Sequence, residues 1–425
     1  MSEPFDVAVI GAGYVGIPHA ATFAEAGCSV LIVDVVPELV EQLNRGVSHI
    51  EDVSSERLAP LVESGQLRAT TDYAEVAGCD AVVIAVPTPL SRQREPDLSI
   101  VESAARSLAA VLREGQLVVL ESTTWPGTTR ELLQPILETS GLKAGEDFHL
   151  AFAPERVDPG RTDWTTKTTP KVVGGITPAC TERAAELYGR AIDSVHRVST
   201  PEAAELTKLL ENTFRAVNIA LVNELAVLCD RMGIDIWEVV DAASTKPFGF
   251  MRFSPGPGLG GHCIPVDPFY LTWKAREYGF HTEFIELAGK VNEEMPYFCR
   301  SLISQALNHG AQKAMKGSRI LVLGVAYKPD IGDVRESPAL KIISLLQNAG
   351  ADVSYHDPHV ARIKIDGVDD LVSVPFEPGD YDCVVIVTDH SDIDYDALVD
   401  DAKLVVDLRN ATGAKGTAAE NVFKL

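Results

Sequence analysis

The sequence is poor in basic charge and has no long apolar run. Its 425 residues carry 37 Lys and Arg against 61 Asp and Glu, a net charge of −24. A nucleic-acid partner would need clustered Lys and Arg, so the composition argues against that class of ligand. No stretch approaches the roughly 20 apolar residues of a membrane span, and no signal peptide is visible. We therefore expect a cytoplasmic protein that binds neither nucleic acid nor membrane.

The seven cysteines are odd in number and scattered, and no Cys-x-x-Cys pair occurs among them. This distribution suggests neither a disulfide framework nor a zinc site, so we expect reduced thiols and no metal. The chain is otherwise of ordinary globular composition, 46% hydrophobic and 23% charged. A chain of this length should hold two or three domains.

A glycine motif near the N-terminus indicates a dinucleotide-binding domain. A strand-like run leads into the motif, a helical pattern follows it, and a second strand ends in Asp34. Gly11 permits the tight turn, Gly13 lets a pyrophosphate approach the backbone, and Gly16 allows close packing of helix and strand. Asp34 would accept hydrogen bonds from ribose hydroxyls and repel a 2′-phosphate, which favours NAD over NADP. The residues expected to hold the cofactor here are Gly11, Gly13, Tyr14, Val15, Gly16 and Asp34.

Three later strands of the N-terminal region end in polar loops that contain proline. Parallel strands present their carboxyl ends at one sheet edge, where doubly wound folds bind ligands. The candidate residues in these loops are Pro87, Thr88 and Thr123, which we expect to contact the cofactor, and Glu155 and Arg156. Each could instead be a turn residue or a helix cap, and Glu155 could form a local ion pair with Arg156.

The longest periodic segment, about Glu202 to Met232, predicts a helix on the order of 45 Å long, enough to bridge two domains. One apolar face is predicted from Leu206, Leu209, Leu210, Phe214, Val217, Leu221, Leu225 and Leu228. A polar stripe at the same spacing comprises Glu205, Lys208, Asn212 and Arg215. Such a stripe is usually solvated, but Lys208 and Asn212 could instead point into a shared cleft, and periodicity cannot choose. Shorter helices are predicted at about 235–243, 269–278 and 282–294, and such helical segments often pair into homodimers or higher homo-oligomers.

A loop from Pro255 to Pro268 contains four glycines, four prolines and Cys263. It cannot be a helix or a central strand, because proline removes backbone donors and glycine weakens regular structure. Cys263 could be a thiolate nucleophile, with Asp267 four residues later as a proton acceptor. The alternative is a tight turn around a small buried cysteine. Beside NAD, a nucleophilic cysteine can trap an aldehyde as a thiohemiacetal, whose oxidation gives a thioester.

From Ser318 the alternation of strands and helices returns and predicts a second α/β domain. This region has no GxGxxG motif, so it should not hold a dinucleotide in the same way. Lys328, Arg335 and Arg409 could meet phosphate there, or could be ordinary surface charges. The predicted fold is α/β, with two doubly wound Rossmann-like domains (residues 1–200 and 301–425) joined by an all-helical central domain (residues 201–300) with a long bridging helix.

Six motifs, in order along nearly the whole chain, resemble those of the UDP-glucose/GDP-mannose dehydrogenase family. They are residues 11–16, Pro87-Thr88-Pro89, residues 122–129, Ala153-Pro154-Glu155-Arg156, the stretch from Lys208 to Asn212, and Gly260-Gly261-His262-Cys263 with Asp267. Within the family, residues 121–123, 211–215, 255–258 and 261–268 resemble the branch that oxidises UDP-N-acetylglucosamine.

The resemblance implies an NAD-dependent four-electron oxidation of the C6 hydroxyl of a UDP-sugar to a carboxylate. The expected reaction converts UDP-N-acetylglucosamine to UDP-N-acetylglucosaminuronate, with UDP-glucose and UDP-N-acetylmannosamine as alternative substrates. Such an acid would suit polysaccharide or glycoconjugate assembly. The resemblance further implies that Cys263 forms the thioester, while Lys208 and Asn212 stabilise charge on the reacting oxygen. Asp267 would order a water or act as a base.

The resemblance also assigns roles outside the cysteine loop. Thr123 would help to position a water, and Glu155 would be the general base of thioester hydrolysis. The C-terminal domain would bind the UDP, and Arg252 could reach a neighbouring subunit. The residues expected to contact the substrate are Glu155, Arg156, Lys208, Asn212, Arg252, Phe253, Gly260, Lys328 and Arg335.

One position departs from the UDP-glucose branch, which has a second glutamate shortly after the one that matches Glu155. Pro159 stands there in this chain, which argues against glucose. Two other functions compete with the proposed one: a non-catalytic sugar-nucleotide sensor and a two-electron dehydrogenase of the 3-hydroxyacid type. Neither needs Cys263.

Overall fold

A computed structural model describes residues 5–50, 52–91, 95–158, 163–261, 264–365 and 370–425. The chain forms two compact units. The first consists of Met1–Glu211 with Phe269–Phe280, and the second of Asn212–Pro268 with His281–Leu425.

The first unit is built on a sheet of eight described strands in the order β3-β2-β1-β4-β5-β6-β7-β8. Paired neighbours are parallel except β6 and β7, which are antiparallel. Four of the strands are apolar and buried along their whole length, as expected at the centre of a parallel sheet covered on both faces. The strands are β1 (Val7–Ile10), β2 (Val30–Val33), β3 (Leu67–Thr70), β4 (Ala81–Ile84), β5 (Leu117–Leu120), β6 (His149–Phe152), β7 (Lys171–Gly175) and β8 (Val195–Arg197).

Helices flank this sheet and bury their apolar sides against it. Phe23, Leu58 and Tyr188 are fully buried in the shared core. The helices are α1 (Gly16–Glu25), α2 (Pro37–Asn44), α3 (Ser55–Glu63), α4 (Ser99–Ala109), α5 (Gln134–Leu137) and α6 (Pro178–Gly189). Short 3-10 helices lie at Tyr73–Gly78 and Glu138–Ser140, and a short π-helix lies at Thr129–Leu133.

Four helices follow in sequence before the second sheet: α7 (Pro201–Met232), α8 (Ile236–Ser244), α9 (Asp267–Ala275) and α10 (Glu283–Gly310), with a 3-10 turn at Arg276–Tyr278. The boundary between the two units falls inside α7. Helix α10 continues well past the predicted end near residue 294, through Pro296. Proline removes one backbone hydrogen bond, but burial of Met295, Cys299 and Ile303 on the same helix outweighs that loss.

The second unit contains a parallel sheet in the order β10-β9-β13-β14-β15. The strands are β9 (Arg319–Leu323), β10 (Asp352–His356), the short antiparallel pair β11 (Arg362–Ile363) and β12 (Leu371–Val372), β13 (Cys383–Ile386), β14 (Val405–Asp407) and β15 (Val422–Lys424). The helices are α11 (Pro338–Asn348), α12 (Tyr395–Asp401) and α13 (Gly413–Ala418), with a 3-10 turn at Pro378–Asp380. Residues of α8 and α10 share one core with this sheet, and Trp237 Nε1 donates to the C-terminal Leu425 carbonyl at 2.9 Å.

The predicted fold class is confirmed, since two mainly parallel sheets with flanking helices are separated in sequence by the helical stretch α7–α10. None of the described helices is both long and apolar enough to cross a membrane.

Candidate active site

The three glycines of the first loop are required for three different reasons. Gly11 has φ +106°, and a Cβ there would lie 2.5 Å from the Ala85 carbonyl oxygen. A Cβ on Gly16 would lie 1.9 Å from the Gly11 carbonyl oxygen, so this glycine lets α1 start directly against the turn. A Cβ on Gly13 would meet nothing within 4 Å. Gly13 therefore leaves open space where a pyrophosphate would approach the backbone.

The other features of this loop also fit a dinucleotide. No side chain caps helix α1, so its N-terminus can face a phosphate, although Ile17 N already donates to the Gly13 carbonyl at 3.1 Å. Asp34 lies directly after β2, and its Oδ2 accepts from Ala12 N at 2.8 Å while Oδ1 accepts from Val36 N at 3.0 Å. Each oxygen keeps a second lone pair for a ribose hydroxyl. Tyr14 is exposed beside the loop, whereas Val15 packs partly against the core.

The loops after β4 and β5 are tied together at the same sheet edge. Ser122 Oγ donates to the Val86 carbonyl at 2.8 Å, and the partly exposed Thr123 follows it. Thr88 is buried beside Pro87, and its carbonyl accepts from Tyr270 Oη at 2.8 Å. The predicted positions at this edge are thus held by a contact between the two loops and by Tyr270 of α9.

Glu155 belongs to a buried charge cluster made of His19, Glu121, Glu155, Lys171 and Tyr188. Glu155 Oε2 lies 2.9 Å from His19 Nε2 and 3.3 Å from Lys171 Nζ, and Oε1 accepts from Val157 N at 2.6 Å. Lys171 Nζ also contacts Glu121 Oε1 at 2.9 Å, and Tyr188 Oη donates to the same oxygen at 2.5 Å. Glu155 therefore pairs with His19 and Lys171, and Arg156 pairs with Glu211 at 2.6 Å, so the described contacts do not support a local ion pair between Glu155 and Arg156.

Opposing effects set the pKa values in this buried charge cluster. Burial alone would lower the pKa of His19, but the carboxylates of Glu121 and Glu155 outweigh it and the pKa is raised. Burial alone would raise the pKa of Glu155, but the positive charges of His19 and Lys171 hold it well below its usual range. Burial and the neighbouring Glu121 raise the pKa of Tyr188 well above normal. Glu155 is therefore ionised.

Sequence reasoning missed His19 and Lys171. His19 stands in a helical pattern that is otherwise apolar, and this was the one local signal that it has a special partner. Lys171 opens an apolar strand and gives no such signal. Their contacts join α1, β7 and the loops after β5 and β6, up to 152 residues apart in sequence.

Three of the four residues in the polar stripe of α7 are buried, and the fourth, Arg215, is half-buried. Glu205, Lys208 and Asn212 are at most 7% exposed, whereas Leu210 on the apolar stripe is 63% exposed. Glu205 accepts from Gly127 N at 2.5 Å, from Thr129 N at 2.8 Å and from Thr129 Oγ1 at 2.7 Å. Burial raises the pKa of Glu205 to about 7 despite these hydrogen bonds. The solvated alternative for the polar stripe is therefore wrong.

Two of the predicted catalytic residues are in direct contact in the second unit. Asn212 Nδ2 donates to Asp267 Oδ2 at 2.5 Å, and both side chains are buried. Asp267 is the first residue of α9, and Asn212 comes from α7. The two residues are 55 positions apart in the sequence. Cys263 and His262 lie outside the described residues.

The described part of the cysteine loop is held tightly on the N-terminal side of Cys263. Gly256 N donates to Asn223 Oδ1 at 2.9 Å, and Gly261 N donates to the Arg335 carbonyl at 3.0 Å. A Cβ on Gly260 would lie 2.5 Å from Tyr327 Cβ, and one on Gly261 would lie 2.9 Å from the Tyr327 ring. These two glycines are needed because Tyr327 leaves no room for a side chain.

Two of the cations that were predicted to contact the substrate or its phosphates pair with aspartates. Arg252 pairs with Asp241 in an exposed contact, and neighbouring Phe253 packs edge-on against Phe214 with ring centroids 5.9 Å apart. Arg335 forms a two-pronged ion pair with Asp333 at 2.6 to 3.0 Å.

The other two cations lie in loops after strands of the second sheet. Lys328 is half-buried in the loop after β9. Arg409 follows β14, donates from Nε to the Val387 carbonyl at 2.8 Å and lies against Gly256, where a Cβ would be 2.7 Å from Nη1.

Asp357, just after β10, is a buried acceptor for five donors. Oδ2 accepts from Val325 N at 2.7 Å, from Ala326 N at 3.1 Å and from His390 Nε2 at 3.0 Å. Oδ1 accepts from the backbone of His359 at 2.8 Å and of Val360 at 3.0 Å. Burial alone would raise the pKa of Asp357, but the hydrogen bonds from His390 and Val325 outweigh it, so the pKa is lowered. This carboxylate ties the loops after β9, β10 and β13 together.

Comparison with known proteins finds the same family along most of the chain. Residues 5–192 match the NAD binding domain of the UDP-glucose/GDP-mannose dehydrogenase family, residues 202–294 its central domain and residues 321–414 its UDP binding domain.

Relatives with different named substrates are about equally similar to this chain. The UDP-N-acetyl-D-mannosamine dehydrogenase of Pyrococcus horikoshii is 38% identical over 386 residues, covering 90% of this chain and 89% of the relative. The UDP-N-acetyl-D-glucosamine 6-dehydrogenase of Pseudomonas aeruginosa is 36% identical, covering 91% and 90%. The solved structure of a UDP-glucose dehydrogenase from Pyrobaculum islandicum superposes with a TM-score of 0.87 at 31% identity, covering 99% of this chain and 97% of that one.

Proposed function

Because the chain belongs to the UDP-glucose/GDP-mannose dehydrogenase family and is an NAD-dependent nucleotide-sugar 6-dehydrogenase, we propose that it oxidises the C6 hydroxyl of a UDP-N-acetylhexosamine to a carboxylate. The observation that carries this proposal is the buried hydrogen bond between Asn212 and Asp267. It brings together an amide and a carboxylate, and the carboxylate stands four residues after Cys263 in the sequence, which supports a reaction that passes through a thioester.

The identity of the hexosamine is the finer part of the proposal. The motifs around residues 121–123 and 255–268 favour UDP-N-acetylglucosamine. Relatives named for N-acetylmannosamine and for N-acetylglucosamine differ by only two percentage points in identity, 38% and 36%. We therefore propose UDP-N-acetylglucosamine first, with UDP-N-acetylmannosamine as the competing substrate. UDP-glucose ranks below both because Pro159, outside the described residues, replaces a glutamate.

The mechanism follows from the residues of the chain. Bound NAD would supply the hydride acceptor for each oxidation, held by the loop from Gly11 to Gly16 and by Asp34. The Cys263 thiolate would add to the aldehyde carbon to form a thiohemiacetal, and loss of a second hydride would leave a thioester. Lys208 and Asn212 would stabilise the negative charge on the substrate oxygen in these steps.

Hydrolysis of the thioester completes the reaction. Water forms the new C–O bond, the C–S bond breaks, and Cys263 leaves as a thiolate. Glu155 would accept the proton of this water, which requires that it be ionised beforehand. Thr123 and Asp267 would position the water.

The test is the amount of NADH formed from limiting sugar nucleotide, measured by absorbance with UDP-N-acetylglucosamine, UDP-N-acetylmannosamine, UDP-glucose and GDP-mannose in separate reactions. Two NADH per sugar with a UDP-N-acetylhexosamine is the expected result. One NADH per sugar would indicate an alcohol dehydrogenase in which Cys263 has no chemical role. No NADH with any sugar would favour the non-catalytic sensor.

Two cysteine variants separate the chemistry from general effects on folding. Cys263→Ala should abolish formation of the acid, because no thioester can form. Cys229→Ala is the matched control, since Cys229 is a buried free thiol of the second unit outside the cysteine loop, and it should keep the stoichiometry of two. Acid formation by Cys263→Ala at a near-native rate would overturn the thioester mechanism.

We also propose that a second copy of the chain covers the apolar face of α7. Leu206, Leu210, Phe214, Leu221, Leu225 and Leu228 are all more than a third exposed. They repeat at helical spacing along most of a 32-residue helix, the pattern by which helices pair, and a helix can pair with its own copy about a two-fold axis. Light scattering should give twice the monomer mass of 45.8 kDa. Leu221→Glu should shift the mass to the monomer, and a monomeric wild-type protein would refute the proposal.

A further inference from the structure

The proposed base Glu155 is contacted by two buried groups that the mechanism above leaves without a role. His19 Nε2 lies 2.9 Å from Glu155 Oε2, and Lys171 Nζ lies 3.3 Å from the same oxygen. Both side chains are at most 3% exposed. Because so little solvent reaches them, the charges of these groups act on Glu155 almost unscreened.

The surroundings of the His19 ring favour the doubly protonated form. Nδ1 lies 3.1 Å from the Val15 carbonyl oxygen and 3.3 Å from Glu121 Oε2, and Nε2 faces Glu155 Oε2. Three of its four close polar neighbours are therefore acceptors. The exception is Lys171 Nζ at 3.0 Å from Nε2, a like charge that opposes protonation.

The sum of charges in the buried charge cluster points the same way. Glu121 and Glu155 contribute two negative charges, Lys171 contributes one positive charge, and Tyr188 is neutral because its pKa is raised. A neutral His19 would leave one uncompensated negative charge in the interior, which is strongly unfavourable. A protonated His19 makes the buried charge cluster neutral.

The buried charge cluster already holds its cation. One ligand atom each from His19, Glu121 and Glu155 lies close enough to share a metal ion. The ammonium group of Lys171 contacts all three side chains, at 2.9 to 3.3 Å. Its N–H groups donate to the Glu121 and Glu155 carboxylates, and its positive charge stands where a metal ion would bind these residues, so the arrangement is accounted for without a metal.

We propose that His19 is a positioning residue that is protonated in the resting protein and keeps Glu155 ionised and oriented as the base of thioester hydrolysis. This inference rests on the proposed function. A protonated Glu155 could not take the proton that the attacking water must lose. His19 lies on α1 three residues after Gly16, so the same helix that faces the cofactor loop also holds the base.

The first test is the pH dependence of acid release in a single turnover. The wild-type rate should hold from pH 8 down to about pH 5, because the pKa of Glu155 lies well below 4.5. His19→Gln leaves the buried charge cluster one charge negative, which raises the pKa of Glu155. The acid limb of its pH profile, where the rate falls as the pH is lowered, should therefore move to higher pH by at least about one unit.

A double variant provides the decisive comparison. His19→Gln combined with Glu121→Gln removes one charge of each sign and restores neutrality, so the acid limb should return toward that of the wild type. His149→Gln is the matched control, since His149 begins β6, the strand that leads to Glu155, but lies outside the buried charge cluster. An unchanged acid limb in His19→Gln, or no return in the double variant, overturns the proposal.

A second measurement does not depend on catalysis. Nitrogen-15 NMR of histidine-labelled wild-type protein at pH 8 should show His19 as an imidazolium, assigned by the loss of its signal in His19→Gln or, if that variant does not fold, in His19→Asn. A neutral ring at pH 8 would refute the inference. If the ring is an imidazolium but two NADH per sugar are not formed, the proposed function fails while the charge assignment stands.

Discussion

The two α/β units place an aspartate at the same point of the fold but use it differently. In each, the first strand is followed by a glycine, and the aspartate after the neighbouring strand accepts N–H groups from that glycine loop. Asp34 accepts two backbone N–H groups and stays half-buried, whereas Asp357 is buried and accepts from five donors. The first carboxylate can still bind a ribose, whereas the lone pairs of the second are committed to the protein.

The loop after β1 also leaves more room for a ligand than the loop after β9. Gly13 stands two residues after Gly11 and leaves open space, but the residue two after Gly324 is Ala326, which is fully buried. Helix α1 begins directly after its loop at Gly16, whereas α11 begins only at Pro338. The same junction of two parallel strands can therefore form a dinucleotide site or a rigid contact within the protein. The two junctions differ in the methyl group of Ala326 and in the partners of the aspartate.

The largest expected effect is that of Asp357→Ala on the second unit. Removing this carboxylate leaves buried N–H groups and His390 without an acceptor, which should lower the free energy of unfolding by about 3–5 kcal/mol. Hydrogen exchange resolved by mass spectrometry should show lost protection in β9 and β10. Asp34→Ala is the control for the first unit, where β1 and β2 should lose at most about 1 kcal/mol. Equal losses in the two variants would remove the contrast between the aspartates.

A pH series sharpens the comparison, because the key buried carboxylates of the two units carry opposite pKa shifts. The pKa of Glu205 is raised from 4.5 to about 7, so its contribution to stability is full below pH 4.5 and is lost as the pH rises through 7. The pKa of Asp357 is lowered, so its contribution is present above pH 3.8 and is lost in acid. Of these two carboxylates, only Glu205 should change its contribution between pH 5 and pH 8.

The size of this change is about 3 kcal/mol, from the shift of the Glu205 pKa. Denaturation at pH 5 and pH 8 should show the first unit losing stability at the higher pH. Glu205→Gln cannot ionise and should lose this contribution. Part of the pH dependence of the first unit should remain, because the raised pKa of His19 also makes that unit less stable as the pH rises above 6.5. A wild-type first unit that is equally stable at both values would contradict the assigned pKa.

Next in size is the effect of Asp34→Ala on cofactor binding. Loss of hydrogen bonds to a charged acceptor should weaken NAD by about 1.5–3 kcal/mol, roughly a 10- to 150-fold rise in Kd. Discrimination against NADP should relax, because the carboxylate no longer repels a 2′-phosphate. Isothermal titration with both cofactors is the measurement. Unchanged NAD affinity would show that Asp34 is only structural, like Asp357.

The smallest structural change is Gly13→Ala, which makes the first loop resemble the second. Open space around Gly13 means that the variant should fold, with stability within about 0.5 kcal/mol of the wild type. NAD should bind roughly tenfold more weakly, about 1.4 kcal/mol, because the methyl group enters the phosphate position. Gly189→Ala, also open and at the end of α6, should leave both properties unchanged. Native NAD affinity in Gly13→Ala would place the pyrophosphate elsewhere.

The sequence predicted correctly the features that depend on the backbone conformation or packing of a short stretch. The loop of Gly11, Gly13 and Gly16 was predicted with its helix and its aspartate, because backbone angles and close packing restrict each position. The bounds of α7 were predicted almost to the residue, since Pro201 and Gly233 mark its ends. The direction of its faces was not predicted, because periodicity reports that two stripes exist and not which one is covered.

Long-range partners could not be predicted from the sequence. The buried charge cluster joins side chains from several elements, and none of the distances between them is encoded locally. The same holds for the continuation of α10 through Pro296 and for β15, which are stabilised by burial against elements that precede or follow them in the chain.

The sequence by itself determined the dinucleotide loop, the alternation that builds two parallel sheets, the long helix and the family to which the chain belongs. These depend on backbone sterics and on residue spacing, which are local properties. Only the tertiary structure decided that the polar stripe of α7 is largely buried, that Asn212 meets Asp267, that Glu155 is held by His19 and Lys171, and that Asp357 is committed to the protein. Burial and electrostatic pairing depend on which distant residues come within a few ångströms, and only the folded chain specifies that.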